Sequence, residues 1–154
     1  MASIPLDTID KRILSELQTD ATLPLEEIAK RVGASKTPVW NRIRKLREQG
    51  VIRKQVAILD PDKLGLDSCF FVMIRTSEHE DGWQRQFLKI VESRPEILEA
   101  HRMAGDIDYI LKVRVPDAKA YNVFYQALIS KVKLFNVTAT LSMEEIKHTT
   151  ALPI

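Results

Sequence analysis

The sequence predicts an α+β chain of two small domains, and three features of the chain carry that prediction. The apolar residues recur with a helical period up to residue 50, turn to a strand-like run over 51–59, and mix strands with helices after the break. Pro61 and Gly65 punctuate a short break at 60–66. The charge balance also changes there: residues 1–66 carry 12 Lys+Arg against 9 Asp+Glu, and residues 67–154 carry 11 against 12. The expected boundaries are therefore 1–59 for a first domain, 60–66 for a hinge and 67–154 for a second domain. With 154 residues, 45% of them hydrophobic and 29% charged, the chain has the composition of a folded protein rather than a disordered one. A single compact body of this mass exposes about 7,900 Å², against roughly 25,500 Å² for the unfolded chain.

The first helix reads from Asp7, a cap with Asp10 in the reciprocal position three residues on, and Ile9, Ile13, Leu14 and Leu17 form its apolar stripe. A second begins near Pro24, where first-turn amides have no acceptor to lose, and Gly33 ends it after Leu25, Ile28, Ala29 and Val32. The third is capped by Ser35 or Thr37, either of which suits Pro38; Val39, Ile43 and Leu46 recur on one face and Gly50 closes it. A strand-like run follows over 51–59.

Beyond the hinge, an apolar strand is expected over 68–76. A helix follows, marked by Trp83, Phe87, Ile90 and Val91 and ended before Pro95. Two strands over 97–104 and 108–115 make a hairpin about Gly105–Asp106–Ile107. Asp117 caps a helix bearing Tyr121, Phe124, Tyr125, Leu128 and Ile129, and residues 137–146 alternate as a last strand. The order β-α-β-β-α-β is the ferredoxin-like arrangement, one antiparallel sheet with both helices on one face.

The second and third helices, joined by Gly33–Ala34–Ser35, have helix-turn-helix spacing. Between residues 30 and 54 nine basic side chains meet one acidic residue, Glu48, a net +8 that suits a polyanion. With Val39 inward, Thr37, Asn41, Arg44, Lys45 and Glu48 lie toward the opposite face of the third helix. Trp40 and Arg47 fall on one flank and Arg42 on the other. Asn pairs bidentately with adenine and Arg with guanine, while Arg53 and Lys54 on the following strand suit phosphates. The expected DNA-binding set is Ser35, Lys36, Thr37, Trp40, Asn41, Arg42, Arg44, Lys45, Arg53 and Lys54.

The residues Leu6–Asp7–Thr8–Ile9–Asp10–Lys11–Arg12–Ile13–Leu14 and Gly33–Ala34–Ser35–Lys36–Thr37–Pro38–Val39–Trp40–Asn41–Arg42–Ile43–Arg44–Lys45–Leu46, with Leu59–Asp60–Pro61–Asp62–Lys63–Leu64–Gly65 and Ala104–Gly105–Asp106–Ile107–Asp108–Tyr109, together resemble the leucine-responsive/asparagine-regulator (Lrp/AsnC) family of transcription regulators. The resemblance spans nearly the whole chain. It implies a winged helix-turn-helix domain, a hinge strand and a ligand-sensing domain that dimerises, with dimers assembling to an octamer. Small effectors, usually amino acids, are then expected between dimers at a G-x-x-D hairpin, here Gly105 and Asp108. Gly105 lets backbone amides approach a carboxylate, and Asp108 can hold an ammonium group; Met103, Ala104, Asp106, Thr138 and Thr140 are the expected walls. Trp40 and the ending Met143–Glu144–Glu145–Ile146–Lys147–His148 are similar to a branch containing a cysteine-detoxification regulator, so cysteine or another small amino acid is the expected effector.

The expected function is therefore a sequence-specific regulator binding a pseudo-palindromic operator in double-stranded DNA and answering to a small amino acid. The alternative is an architectural, DNA-wrapping protein of the same fold without an effector. No nucleophile–base pair or phosphate loop is present, so no enzymatic activity and no cofactor are expected. His79, His101 and His148 lack metal-ligand spacing; the latter two read as hydrogen-bonded strand residues. Cys69, in an apolar strand, reads as core. No apolar run reaches the ~18 residues of a membrane span, and residues 1–6 are too short for a signal peptide, so a cytoplasmic chain is expected.

Overall fold

A reciprocal capping box opens the first helix, α1 (Thr8–Thr19): the Asp7 carboxylate accepts from Asp10 N–H at 2.8 Å, and Asp10 accepts in return from Asp7 N–H at 3.2 Å. The computed structural model describes residues 4–77 and 81–154. Helix α2 (Leu25–Val32) starts at Pro24 and stops at Gly33, whose φ of 73° is left-handed. Helix α3 (Lys36–Glu48) begins at Ser35, so Ser35 and not Thr37 takes the cap position, although its side chain makes no capping hydrogen bond. Ile13, Ile28, Ala29, Val32, Val39 and Ile43 form the core joining the three helices.

The run at 51–59 departs from expectation. It bends at Val51–Ile52 and forms no ladder, and Val56, Ile58 and Leu59 are each about two-thirds exposed (66%, 65% and 66%). A strand needs a hydrogen-bonded neighbour, and the described residues of this chain supply none beside it. Arg53 and Lys54 therefore lie on an unpaired segment rather than a strand.

The second body is a sheet of β1 (Ser68–Arg75), β2 (Ile97–Arg102), β3 (Tyr109–Val115) and β4 (Asn136–Leu141), in the order β2-β3-β1-β4, with every pair antiparallel. Helix α4 (Asp81–Ser93) and helix α5 (Ala118–Ile129) connect them, which is the β-α-β-β-α-β order. Asp117 caps α5, its carboxylate accepting from Ala120 N–H at 2.7 Å. Phe70, Val72 and Ile74 of β1 pack with Tyr109, Leu111, Val113 and Val115 of β3 and with Phe87 and Phe124 of the helices. The period of two leaves Phe71, Met73 and Arg75 on the other face. By register, Thr140 and Thr138 stand on that open face opposite Phe71 and Met73, and Lys112 opposite Phe71 on the other side.

β4 is shorter than the expected 137–146, because β1 ends its pairing with it at Phe70–Leu141. Glu145 instead reaches Lys112 and Arg114, each at 3.8 Å. The last eight residues also depart from the expected boundary. The chain divides into Met1–Ile58 with Lys147–Ile154, and Leu59–Ile146, so the tail belongs with the helical unit. A two-point contact explains this: Gln18 donates to Leu152 O at 3.2 Å and accepts from Leu152 N–H at 2.6 Å. His148 thus lies in the tail rather than a strand. His101 lies on β2, 3.4 Å from Glu99, while His79 lies outside the described residues. Cys69 is buried. The chain exposes 11236 Å², well above the about 7,900 Å² of one compact body, and its buried residues form two small cores rather than one.

Candidate nucleic-acid interface and effector hairpin

The burial of Val39, Ile43 and Leu46 fixes the rotation of α3. Its opposite side then presents Lys36, Thr37, Trp40, Asn41, Arg44 and Lys45, all exposed, with Ser35 exposed at the start. Arg53 and Lys54 are exposed on the following segment. The +8 count overstates the free charge, since acids outside that stretch come back to it in space. Arg31 pairs with Glu16 at 3.0 Å and Glu27 at 2.9 Å, and Lys36 with Glu26. The Lys36 ammonium, hydrogen-bonded to the Glu26 carboxylate, holds that carboxyl below its ordinary range. Among the described residues no carboxylate lies within ion-pair distance of Lys30, Lys45, Arg47, Arg53 or Lys54.

Arg42 is the member of the expected DNA-binding set that the fold engages most fully. Its Nη1 lies 2.6 Å from Asp7 and 2.8 Å from Asp10, so the capping box of α1 also holds α3. Asp7 is held below its ordinary carboxyl range, first by the Asp10 backbone N–H and then by Arg42. Trp40 is 49% exposed and carries the Arg44 guanidinium over its ring at 5.3 Å.

In the second unit, Met103 to Asp108 form the turn between β2 and β3, and Gly105 takes a φ of 142°, a conformation that a side chain would strain. The Asp108 carboxylate accepts from Thr76 N–H at 2.8 Å, and the Asp108 amide donates to Ile74 O at 3.0 Å. Asp108 therefore fastens the hairpin to the end of β1. Met103, Ala104, Gly105, Asp106, Thr138 and Thr140 are exposed, and Asp108 is half-buried. Thr138 and Thr140 stand on β4 two and four residues along the register from Arg75. Arg75, absent from the expected walls, donates from Nε to Asp106 O at 2.6 Å. Only its alternation onto the open face was available in sequence; its contact with a turn 31 residues away was not.

An exposed, cation-bearing helix-turn-helix unit joined to a sheet unit with a glycine-turned hairpin is the build of a DNA-binding regulator with a ligand domain. Residues 6–53 match the winged helix-turn-helix DNA-binding family, and residues 69–152 match the Lrp/AsnC ligand binding domain. The glutamate uptake regulatory protein of Zymomonas mobilis is 47% identical over 149 residues, covering 97% of this chain and 91% of that one. The crystal structure of an AsnC family transcriptional regulator from Agrobacterium tumefaciens superimposes with a TM-score of 0.93 at 47% identity, covering 96% of this chain and 97% of that one. A transcriptional regulator–L-Met complex from Neisseria meningitidis gives 0.92 at 29% identity, covering 97% of both chains. The chain belongs to the Lrp/AsnC family of transcription regulators. It is a DNA-binding regulator rather than an enzyme, and among the described residues no helix is long and apolar enough to cross a membrane.

Proposed function

We propose that this regulator binds a pseudo-palindromic operator as a dimer or higher assembly, through the outer side of α3, and answers to a small amino acid held at the 103–108 hairpin. The observation that carries the DNA-contact assignment is the exposed run Thr37, Trp40, Asn41, Arg44 and Lys45 on a helix whose inward face is fixed by Val39, Ile43 and Leu46. Ser35 and Lys36 supply contacts at the helix start, and Arg53 and Lys54 phosphate contacts. Arg42 acts as a positioning residue, holding α3 on α1.

For the effector, the amide-lined turn at Gly105 suits a carboxylate, and Asp106 and Asp108 suit an ammonium group. Met103, Ala104, Thr138 and Thr140 supply walls, and Arg75 is a second carboxylate partner. These residues, Asp108 apart, are exposed in the single chain, which supports a pocket closed by a neighbouring copy. The unpaired apolar segment with Val56, Ile58 and Leu59 exposed supports a homodimer in the same way; dimers then assemble to an octamer. The neisserial relative was crystallised with L-Met, and here cysteine heads the small amino acids to be tried. The cytoplasm, where the operator lies, is the proposed compartment.

Thermal unfolding against each of the twenty amino acids at millimolar concentration tests the effector reading. A ligand at 100 times its Kd adds about 2.7 kcal/mol to the stability of the form that binds it. One or two positive amino acids, lost in Asp108→Asn, support it. No shift with any of them favours the architectural alternative.

A further inference from the structure

Three residues of α3 make an arrangement that charge-driven DNA binding does not require. Trp40, Arg44 and Glu48 follow at intervals of four on one side of the helix. The Arg44 guanidinium carbon lies 5.3 Å from the Trp40 ring centroid, and Arg44 Nε lies 3.7 Å from the Glu48 carboxylate. Arg44 makes its one ion-pair contact through Nε, and neither terminal nitrogen has a hydrogen-bond or ion-pair partner among the described residues. A guanidinium held this way loses less freedom on binding than a loose one.

Trp40 itself is not filler. It is 49% exposed and forms a wall of two hollows. One, of about 300 Å³, is shared with Leu25, Lys36, Thr37, Asn41 and Arg44; the other, of about 230 Å³, is shared with Leu23, Leu25, Ile28, Ile43, Arg44 and Arg47. A hollow whose apolar walls are Leu25 and Trp40, beside a cation resting on the Trp40 ring, matches little on a phosphate backbone. It does match the floor of the major groove, where guanine offers O6 and N7 and thymine a C5 methyl group.

We propose that Trp40, Arg44 and Glu48 form a specificity-reading unit for a guanine flanked by a thymine. The terminal nitrogens of Arg44 donate to guanine O6 and N7, the hollow between Trp40 and Leu25 receives the methyl of the neighbouring thymine, and Glu48 positions Arg44 without touching DNA. This rests on the reading of α3 as the recognition helix. Lys45, Arg53 and Lys54 supply the sequence-independent part of the affinity.

The test selects duplexes from a randomised library with the full chain and then measures binding by fluorescence anisotropy. The expected half-site holds a guanine next to a thymine. Replacing that guanine by 7-deazaguanine, which lacks the N7 acceptor, should weaken wild type about tenfold or more and leave Arg44→Ala unaffected by the replacement. Replacing the thymine by uracil should weaken wild type severalfold and leave Trp40→Ala unaffected. Arg44→Lys, which keeps the charge, should keep the salt dependence but lose the guanine preference. If duplexes are enriched but both replacements act equally on wild type and variants, or on neither, the reading unit is overturned while DNA binding by α3 stands. If nothing is enriched and no salt-dependent binding is seen, the recognition-helix reading falls and takes this one with it.

Discussion

The outer side of α3 and the 103–108 hairpin were both marked in the sequence as binding elements, yet the fold treats their charges differently. On α3, Lys45 and Arg44 project from a helix whose rotation is set by buried Val39, Ile43 and Leu46; Lys45 has no ion-pair partner among the described residues, and Arg44 meets only Glu48 of its own helix, at 3.7 Å. At the hairpin, one carboxylate oxygen of Asp108 already caps the end of β1 through Thr76 N–H. A charge on a helix face is placed by the helix period alone; a charge at a strand end takes whatever donor the sheet brings beside it. The contrast even runs along α3 itself, where Arg42 is bound to two aspartates and Arg44, two residues on, rests on a tryptophan.

The sharpest break of that comparison is Arg44→Ala/Lys45→Ala. Both side chains are exposed, so the melting temperature should hardly move, while affinity for operator DNA should fall about a hundredfold near 0.15 M salt and the log–log salt slope should shrink by roughly 1, the share of Lys45. Anisotropy titrations across a salt series read both. A lost fold with intact DNA binding would place the cations in the structure instead.

The next largest effect is expected at the hairpin. Asp108→Ala removes a charged acceptor from Thr76 N–H, costing about 1.5 kcal/mol or somewhat more and lowering the melting temperature by several degrees. Asp108→Asn keeps an acceptor and should keep most of the stability while losing the amino-acid response. Equal responses in Asp108→Asn and wild type would leave Asp108 with the capping role alone.

A smaller, pH-dependent effect distinguishes the clamp. The folded-state carboxyl of Asp7 lies below its ordinary value of 3.8, so the stabilisation it contributes is fully present above that value and is lost as pH falls through the lower, folded one. The stability difference between wild type and Arg42→Ala should therefore be steady from pH 7 to about 5 and close as the pH drops below about 4. Melting curves across that range check it; a gap that widens in acid would contradict the clamp. Smallest of all, Gln18→Ala should leave the melting temperature nearly unchanged but speed hydrogen exchange at the Leu152 amide, which Gln18 accepts at 2.6 Å.

Local patterns made much of this chain legible. The Asp7/Asp10 box, the stop at Gly33 and the cap at Asp117 are all interactions between near neighbours in sequence, and each fell where expected. The run at 51–59 shows the limit: its β-branched composition favours an extended chain, but pairing needs a second strand that this chain's described residues do not bring to it. The last strand is also shorter than its alternation suggests: its ladder with β1 ends at Phe70–Leu141, with one further bond from Ser142 N–H to Cys69 O at 2.8 Å.

What the sequence by itself determined, then, is the order of the helices and of the four strands that pair, the inward face of the first three helices, and the cation-rich outer side of α3, because burial period and capping act within a few residues. Only the tertiary structure decided which of those charges stay available. Asp7 and Asp10 reach Arg42 across more than thirty residues, Arg75 reaches the backbone of Asp106, Asp108 reaches Thr76, and the tail from Lys147 joins the helical unit through Gln18. Each of these is a short-range electrostatic contact, and its partner is chosen by how the backbone folds back rather than by any spacing along the chain.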